Sequence, residues 1–446
     1  MNLLRSIAFA NLAPALFLGF VMLLGGGTLG GMFANVVVQL VALAILLWAL
    51  FFPGKRERAI AERSLDYLAL AYLGWLILCL LPLPPGLWSA LPGREDIVRG
   101  FTLLGAPLPW LPLSTSPADS LWSGLSLLPI FAMALLVRRA GAEANRILIV
   151  AILGIAAANA VLGIGQYVTG IGSRLYLYDV TNRGFAVGFF ANANHLATLM
   201  AAAAVLAAYY FSTTSSDARR ARTSTRRAKL AKLAGFDALL FVATLFTESN
   251  AGLILFAAAL GATPFLMGAF TLKRWIFWGG AAGASVAIAG AFALAVSQPG
   301  VLGAGSDQHG TSRAQIYPRA AELMRDNLPF GTGLGSFARA YPAYEDANRV
   351  TQTYANHAHS DLIEWLVELG LVGAVFLTLL LLWAVRQIGA SLDFSTRHAR
   401  AAQAAFGALL LIGLHSLIDY PARTAAMATL VAAMLALIAR HDWERE

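Results

Sequence analysis

The chain has 446 residues, of which 58% are hydrophobic and only 13% charged, with a mean hydropathy of +0.67. That balance excludes an ordinary water-soluble domain, and a single cysteine, Cys79, excludes an internal disulfide framework. The formal net charge of +8 therefore has to be explained by where the basic residues sit relative to a bilayer.

Apolar runs of about 20 residues are long enough to cross the hydrocarbon as helices, the one open-ended fold that leaves no backbone group unpaired there. Such spans are predicted near 6–25, 32–52, 66–84, 122–137, 147–167, 189–211, 236–249, 251–271, 275–296, 362–385, 402–419 and 424–439. The first follows Arg5 as a signal sequence would. It ends in Gly25-Gly26-Gly27 without a small-x-small cleavage pattern and reads as a retained first helix.

Orientation follows from Lys and Arg in the connections. With the N-terminus cytoplasmic, alternate connections hold 22 of the 32 basic residues on the inside and 10 on the outside. The densest run, Arg219–Lys232, reads as an inside anchor, with no nucleic-acid partner implied. Two outside loops are long. The first, 85–121, is rich in Pro, Trp and Gly, and Trp88, Trp110 and Trp122 at its edges suit an interfacial belt. The second, 298–361, is predicted to carry a helix around 311–327 that Pro318 kinks or starts. Gly331-Thr332-Gly333-Leu334-Gly335 follows as a flexible turn. The chain divides into a bundle over 1–297, this loop over 298–361, and the last three spans with a tail over 362–446.

Polar side chains gather at the outer ends of the spans. Asp361, Glu364 and Glu368 are three and four residues apart, so they stack on one face of a helix that runs into lipid. Carboxylates there must face protein, water or a partner cation, because lipid exposure costs a few kcal/mol each. They read either as a solvated helix start or as partners of a histidine. His359, whose ordinary pKa suits proton transfer near neutral pH, is the candidate base, and His357 is a rival that spacing does not separate from it. Arg183 and Arg313 lie outside, and arginine is the side chain whose planar fork grips phosphate. Asn192, Asn194 and His195 open the sixth span, where helix–helix contact and ligand contact fit equally. His415, Asp419 and Arg423 recur every four residues near the end of span eleven. No His-Glu-x-x-His zinc helix occurs, and the glycine run lacks the strand-turn-helix setting of a nucleotide loop.

Three blocks carry a resemblance. Arg183 precedes Gly188-Phe-Phe-Ala-Asn192-Ala-Asn194-His195. Arg313-x3-Tyr317 precedes Asn327-Leu-Pro-Phe-Gly-Thr-Gly-Leu-Gly-Ser-Phe337, and His359-Ser360-x7-Glu368-x-Gly370 closes the set. Together they resemble the O-antigen ligase and O-antigen or exopolysaccharide polymerase superfamily of bacterial inner-membrane glycosyltransferases, with Ser360 in place of the usual Asn and Tyr317 in place of Trp. The resemblance implies an all-α polytopic membrane protein of GT-C type. It would have about twelve transmembrane helices, both termini cytoplasmic, and one large periplasmic loop between spans nine and ten. It implies transfer of a glycan from an undecaprenyl-pyrophosphate-linked donor to an acceptor hydroxyl (of a glycan, a lipid A core or another surface molecule), with no cofactor and no metal. The family's functional arginines map onto Arg183 and Arg313 and its essential histidine onto His359. Asn192, Asn194, His195, His357, Asp361, Glu364 and His415 are expected around the substrates, with Asp361 or Glu364 holding the His359 imidazole. A transporter or flippase of lipid-linked glycans is the competing class.

Overall fold

The computed structural model describes residues 2–28, 33–52, 60–213, 223–266, 313–346, 355–390 and 397–440. In chain order the elements are α1 (Asn2–Leu24), α2 (Phe33–Phe51), α3 (Ile60–Leu80), β1 (Pro82–Leu83), α4 (Pro85–Trp88), α5 (Glu95–Leu103), β2 (Leu111–Pro112), α6 (Pro117–Leu125) and α7 (Leu128–Arg139). They continue with α8 (Ala142–Thr169), α9 (Ala193–Thr213), α10 (Thr223–Leu245), α11 (Asn250–Leu266), α12 (Arg313–Asp326) and α13 (Phe337–Ala340). After the 3-10 turn Tyr341–Tyr344 come α14 (Asp361–Ala390), α15 (Arg397–His415), a second 3-10 turn Pro421–Arg423 and α16 (Ala425–Ala439).

Each predicted span overlaps helical structure over its described residues; the ninth, 275–296, lies outside them. Among the described residues six stretches are long and apolar enough to cross a membrane: Phe33–Phe51, Glu62–Leu80, Pro117–Arg139, Glu143–Thr169, Ala193–Thr213 and Asp361–Gly389. Shorter apolar helices cover Ala10–Leu24, Asn250–Pro264, Arg400–His415 and Ala425–Ala439. The span expected at 122–137 is two helices, α6 and α7, with Ser126 and Leu127 between them.

The bundle is organised around α9. Its Ala201–Ala204, Ala207 and Ala208 are fully buried, and α8, α10, α11 and α15 pack round it. Small side chains let helix backbones approach closely where lipid gives no hydrophobic reward for association. At Gly252 on α11 an added Cβ would lie 2.4 Å from the Ala197 Cβ. The peripheral α2 turns Phe33, Leu40, Leu50 and Phe51 outward, as a lipid-facing helix does.

The segment expected as the first long outside loop carries short elements of its own. β1 and β2 pair antiparallel, Pro82 opposite Pro112 and Leu83 opposite Leu111, and close the loop at its base. Trp88, expected in an interfacial belt, is instead fully buried, its indole N–H donating to the Pro109 carbonyl at 2.8 Å. Trp110 and Trp122 are exposed.

The glycine run is a docking joint where a flexible turn was expected. Gly331, Gly333 and Gly335 all have positive φ (78°, 106° and 75°), a backbone region that favours glycine. Added Cβ atoms would meet the Glu368 carbonyl oxygen at 2.5 Å, Ser114 Oγ at 2.2 Å and Ser123 Oγ at 1.9 Å. The joint therefore seats the second loop on the first loop and on α14 at once. α14 is itself broken at Gly370 (φ 56°, ψ −143°), a conformation essentially restricted to glycine. The break frees helical carbonyls, and the joint satisfies them. Thr332 N donates to Val367 O at 3.0 Å and Gly333 N to Glu368 O at 2.8 Å, while Leu371 N donates to Pro329 O at 2.8 Å. Backbone groups at membrane depth need such partners.

Gly370→Ala should be severely destabilising, because it adds a forbidden backbone angle to a Cβ only 2.2 Å from the Pro329 oxygen. A loss of roughly 2 kcal/mol or more is expected. It is read as a lower thermal aggregation midpoint of detergent-purified protein; an unchanged midpoint would show that the joint tolerates a side chain.

Candidate active site

Four side chains from two separate pieces of chain converge on the ring of Tyr420. His357 stacks on it at 4.4 Å between centroids and 30° between planes. His359 meets it edge-on at 5.3 Å and 74°, and His195 at 5.3 Å and 85°. The Asn192 side chain pairs with its hydroxyl. Burial pushes the Tyr420 phenol above its ordinary range, with Asp419 adding to the effect, so the ring stays neutral.

Each piece is positioned by local chemistry. Asn192 caps α9, its Oδ1 accepting from the Asn194 N–H at 2.9 Å. The Asn182 side chain accepts from Ala193 N at 3.0 Å and fastens the Arg183 loop to the same helix start. That loop also packs against the glycines ending α1: an added Cβ on Gly26 would sit 2.1 Å from the Phe189 oxygen. One turn into α9, Thr198 Oγ1 lies 2.6 Å from His415 Nδ1. His415 is thus engaged at the contact between α9 and the end of α15. His195 is 1% exposed, and neither of its ring nitrogens has a hydrogen-bond partner among the described residues.

Ser360 caps α14, with Ile363 N donating to its Oγ at 3.3 Å. Serine and asparagine are both strong N-caps, which explains why Ser360 can replace the usual Asn. His359 sits before the cap with φ 52°, a costly angle for a non-glycine residue. The Tyr317 hydroxyl, on α12, donates to the His359 carbonyl at 3.0 Å. An indole N–H can make the same bond, so tyrosine in place of tryptophan keeps that contact.

The carboxylates of α14 face a cation from elsewhere in the chain. Arg423 Nη1 lies 2.8 Å from Glu368 Oε2 and 3.3 Å from Glu364 Oε1, and its Nε lies 3.7 Å from Asp361 Oδ1. Burial works against the guanidinium charge, but the three carboxylates outweigh it and hold the Arg423 pKa above its ordinary value. Asp361 also accepts from Ser416 Oγ at 2.7 Å and Ala422 N at 3.0 Å. Glu364 accepts from His357 Nδ1 at 2.9 Å and from Ala358 N at 3.0 Å. The acid expected to hold His359 is therefore hydrogen-bonded to its rival, His357. Glu368 takes the Gly335 N–H as well as Arg423.

The two arginines singled out in the sequence contact different elements. Arg313, at the start of α12, donates through Nε to the Ile418 carbonyl at 2.9 Å and so adjoins the His415–Tyr420 segment. Arg183 is exposed; its guanidinium lies 5.3 Å from the Tyr176 ring centroid and forms no ion pair among the described residues. Tyr420 and Arg423 are the site residues that sequence reasoning missed. Arg423 had a signal, as an outside basic residue eight positions after His415, but the four-residue spacing misled. α15 ends at His415, and Asp419 and Arg423 belong to the turn and the 3-10 helix beyond it.

Residues 235–378 match the family model described as O-antigen ligase, which supports the O-antigen ligase and polymerase superfamily. The match takes in Arg313, the glycine joint, His357, His359 and the three carboxylates of α14, while Arg183, His195, Tyr420 and Arg423 lie outside it. No curated protein matches the chain. That match and the apolar helices point to a bacterial membrane protein of a glycosyltransferase-like class.

Arg423→Ala should leave three carboxylates without their cation in a mostly buried position. A loss of about 3–5 kcal/mol is expected. It would appear as poor accumulation in membranes and a reduced thermal midpoint; wild-type levels and midpoint would show that the ion group contributes nothing to folding.

Proposed function

We propose that the protein is an O-antigen ligase or polymerase-type glycosyltransferase of the bacterial inner membrane, working at the periplasmic face. The donor is a glycan on undecaprenyl pyrophosphate and the acceptor a hydroxyl of a growing glycan, a lipid A core or another surface molecule. The observation that carries this reading is the convergence of His195, His357 and His359 on Tyr420, beside an arginine-anchored segment, within and next to the stretch that matches the family. The charge asymmetry of the connections supports the periplasmic placement.

In this mechanism Arg183 and Arg313 grip the donor pyrophosphate and stabilise the charge that grows on it as the anomeric carbon–oxygen bond breaks. They fill the role that a divalent cation has in many nucleotide-sugar enzymes. His359 meets the incoming hydroxyl, and a single displacement inverts the anomeric centre. Asn192, Asn194, His195 and His415 border the substrates, and the buried, unpartnered His195 offers ring nitrogens to them. The outward apolar faces of the helices admit the polyprenyl chain sideways from the bilayer.

His359→Ala and Arg313→Ala should insert and fold yet form product from purified lipid-linked donor and acceptor at least about 100-fold more slowly. Wild-type turnover in either variant removes that residue from the mechanism. Detergent-purified wild-type protein must itself form product, since a transporter without a second compartment would form none.

A further inference from the structure

Of the two histidines that flank Ala358, one carries the equipment of a general base. A carboxylate only accepts hydrogen bonds, so the 2.9 Å contact between His357 Nδ1 and Glu364 Oε1 fixes the ring proton on Nδ1. The basic lone pair is thereby assigned to Nε2, which makes no hydrogen bond among the described residues on a side chain that is 13% exposed. The ring plane is set from a second direction by the Tyr420 stack. Glu364 is itself over-determined: Ala358 N donates to Oε2 at 3.0 Å, and Arg423 Nη1 lies 3.3 Å from Oε1. A base held by a carboxylate that is in turn held by further groups is the arrangement by which an imidazole is kept in one tautomer and its cation stabilised.

We propose that His357 is the proton acceptor of the transfer and Glu364 its positioning residue, with His359 left to orient the acceptor hydroxyl. This rests on the glycosyltransfer reading above. As the acceptor oxygen forms its bond to the anomeric carbon, its proton passes to His357 Nε2. The carbon–oxygen bond to the lipid pyrophosphate breaks with the electron pair leaving on the phosphate. His357 becomes an imidazolium paired with the Glu364 carboxylate, and it loses the proton to solvent after turnover. Atoms and charge balance without a further reagent.

The charged and titratable groups around the ring are Glu364, Asp361 and Glu368 on α14, and Asp419, Tyr420 and Arg423 on the connection after α15. His195 on α9, Arg313 on α12 and neighbouring His359 complete the set. Only Glu364 is hydrogen-bonded to the ring. The Glu364 carboxylate holds the ring in one tautomer and faces the imidazolium that forms as the proton arrives. Glu364→Gln removes that charge and lets an amide N–H compete for the ring, so kcat should fall about 10–100-fold with donor KM within about threefold of wild type.

The test uses full-length protein in detergent with purified lipid-linked donor and acceptor, following kcat and donor KM. His357→Ala is expected to lose about 10²–10⁴-fold in kcat, with donor KM within about threefold of wild type, and to regain part of the rate when imidazole is added. Retention of wild-type kcat by His357→Ala or by Glu364→Gln overturns the proposal while the glycosyltransfer reading stands. Should His357→Ala fail to insert, the kcat and donor KM of Glu364→Gln decide alone. No product from the wild-type protein with any lipid-linked donor overturns both readings together.

Discussion

Arg423 ties α14 to the connection between α15 and α16, and its ion pairs to Asp361, Glu364 and Glu368 govern what surrounds them. Charges leaving water for the edge of a bilayer lose several kcal/mol of solvation each, so such a group needs hydrogen bonds besides its ion pairs. Each acid has some, while Asp361 Oδ1, Glu368 Oε1 and Arg423 Nη2 have no hydrogen-bond partner among the described residues. Asp361 takes Ser416 and Ala422, Glu364 takes His357 and Ala358, and Glu368 takes Gly335. Buried ion pairs are poor sources of net stability. What this one supplies is geometry: Gly335, the His357–Ala358 segment and the Ser416–Ala422 connection are indexed to a single helix face.

The glycine joint works on the same helix from the other side. Without the break at Gly370, the carbonyls of Val367 and Glu368 would be spent within α14, and Thr332 and Gly333 would have no backbone acceptor there. Breaking a helix near the membrane boundary is tolerable only where protein replaces the lost bonds. The loop glycines permit that approach because a Cβ at any of the three would collide with Ser114, Ser123 or the α14 backbone. Ion group and joint thus fix the first turns of α14 in both rotation and depth, and those turns carry Glu364 to His357.

Much of this was legible in the chain, and the illegible parts share a cause. Hydropathy gave the spans, since about 20 apolar residues have few other uses. The three-and-four spacing of Asp361, Glu364 and Glu368 required a common face and left protein, water or a cation open as the partner. That the cation is Arg423 could not be read, because it lies 55 residues beyond Glu368 in the chain and only tertiary packing brings it near. Periodicity failed at α15 for a related reason: His415, Asp419 and Arg423 keep a helical spacing where the helix has already ended. Trp88 failed because an indole with a carbonyl partner can be buried as readily as it can sit at an interface. The glycine run read as flexible because the positive φ that glycine permits looks the same in sequence whether a loop is loose or tightly seated.

Two local costs coincide at Tyr420. The backbone of His359 at φ 52° costs of order 1–3 kcal/mol. A buried imidazole such as His195 with no hydrogen-bond partner costs about 1–3 kcal/mol more. Neither is needed for packing, since an aliphatic side chain would fill the place of His195 without an unmet polar group. The surroundings hold both in place: Tyr317 pins the His359 carbonyl, the Ser360 cap fixes the next residue, and the Asn192 cap sets where α9 begins. Unfavourable features kept side by side, each over-determined by its neighbours, are the physical mark of a site arranged for a ligand. The carboxylate-held His357 is stacked on the same ring, so the strained, the unpartnered and the tautomer-fixed imidazole all address one small volume. A reaction that must lift a proton from a sugar hydroxyl while binding two bulky substrates has use for three imidazoles with different constraints.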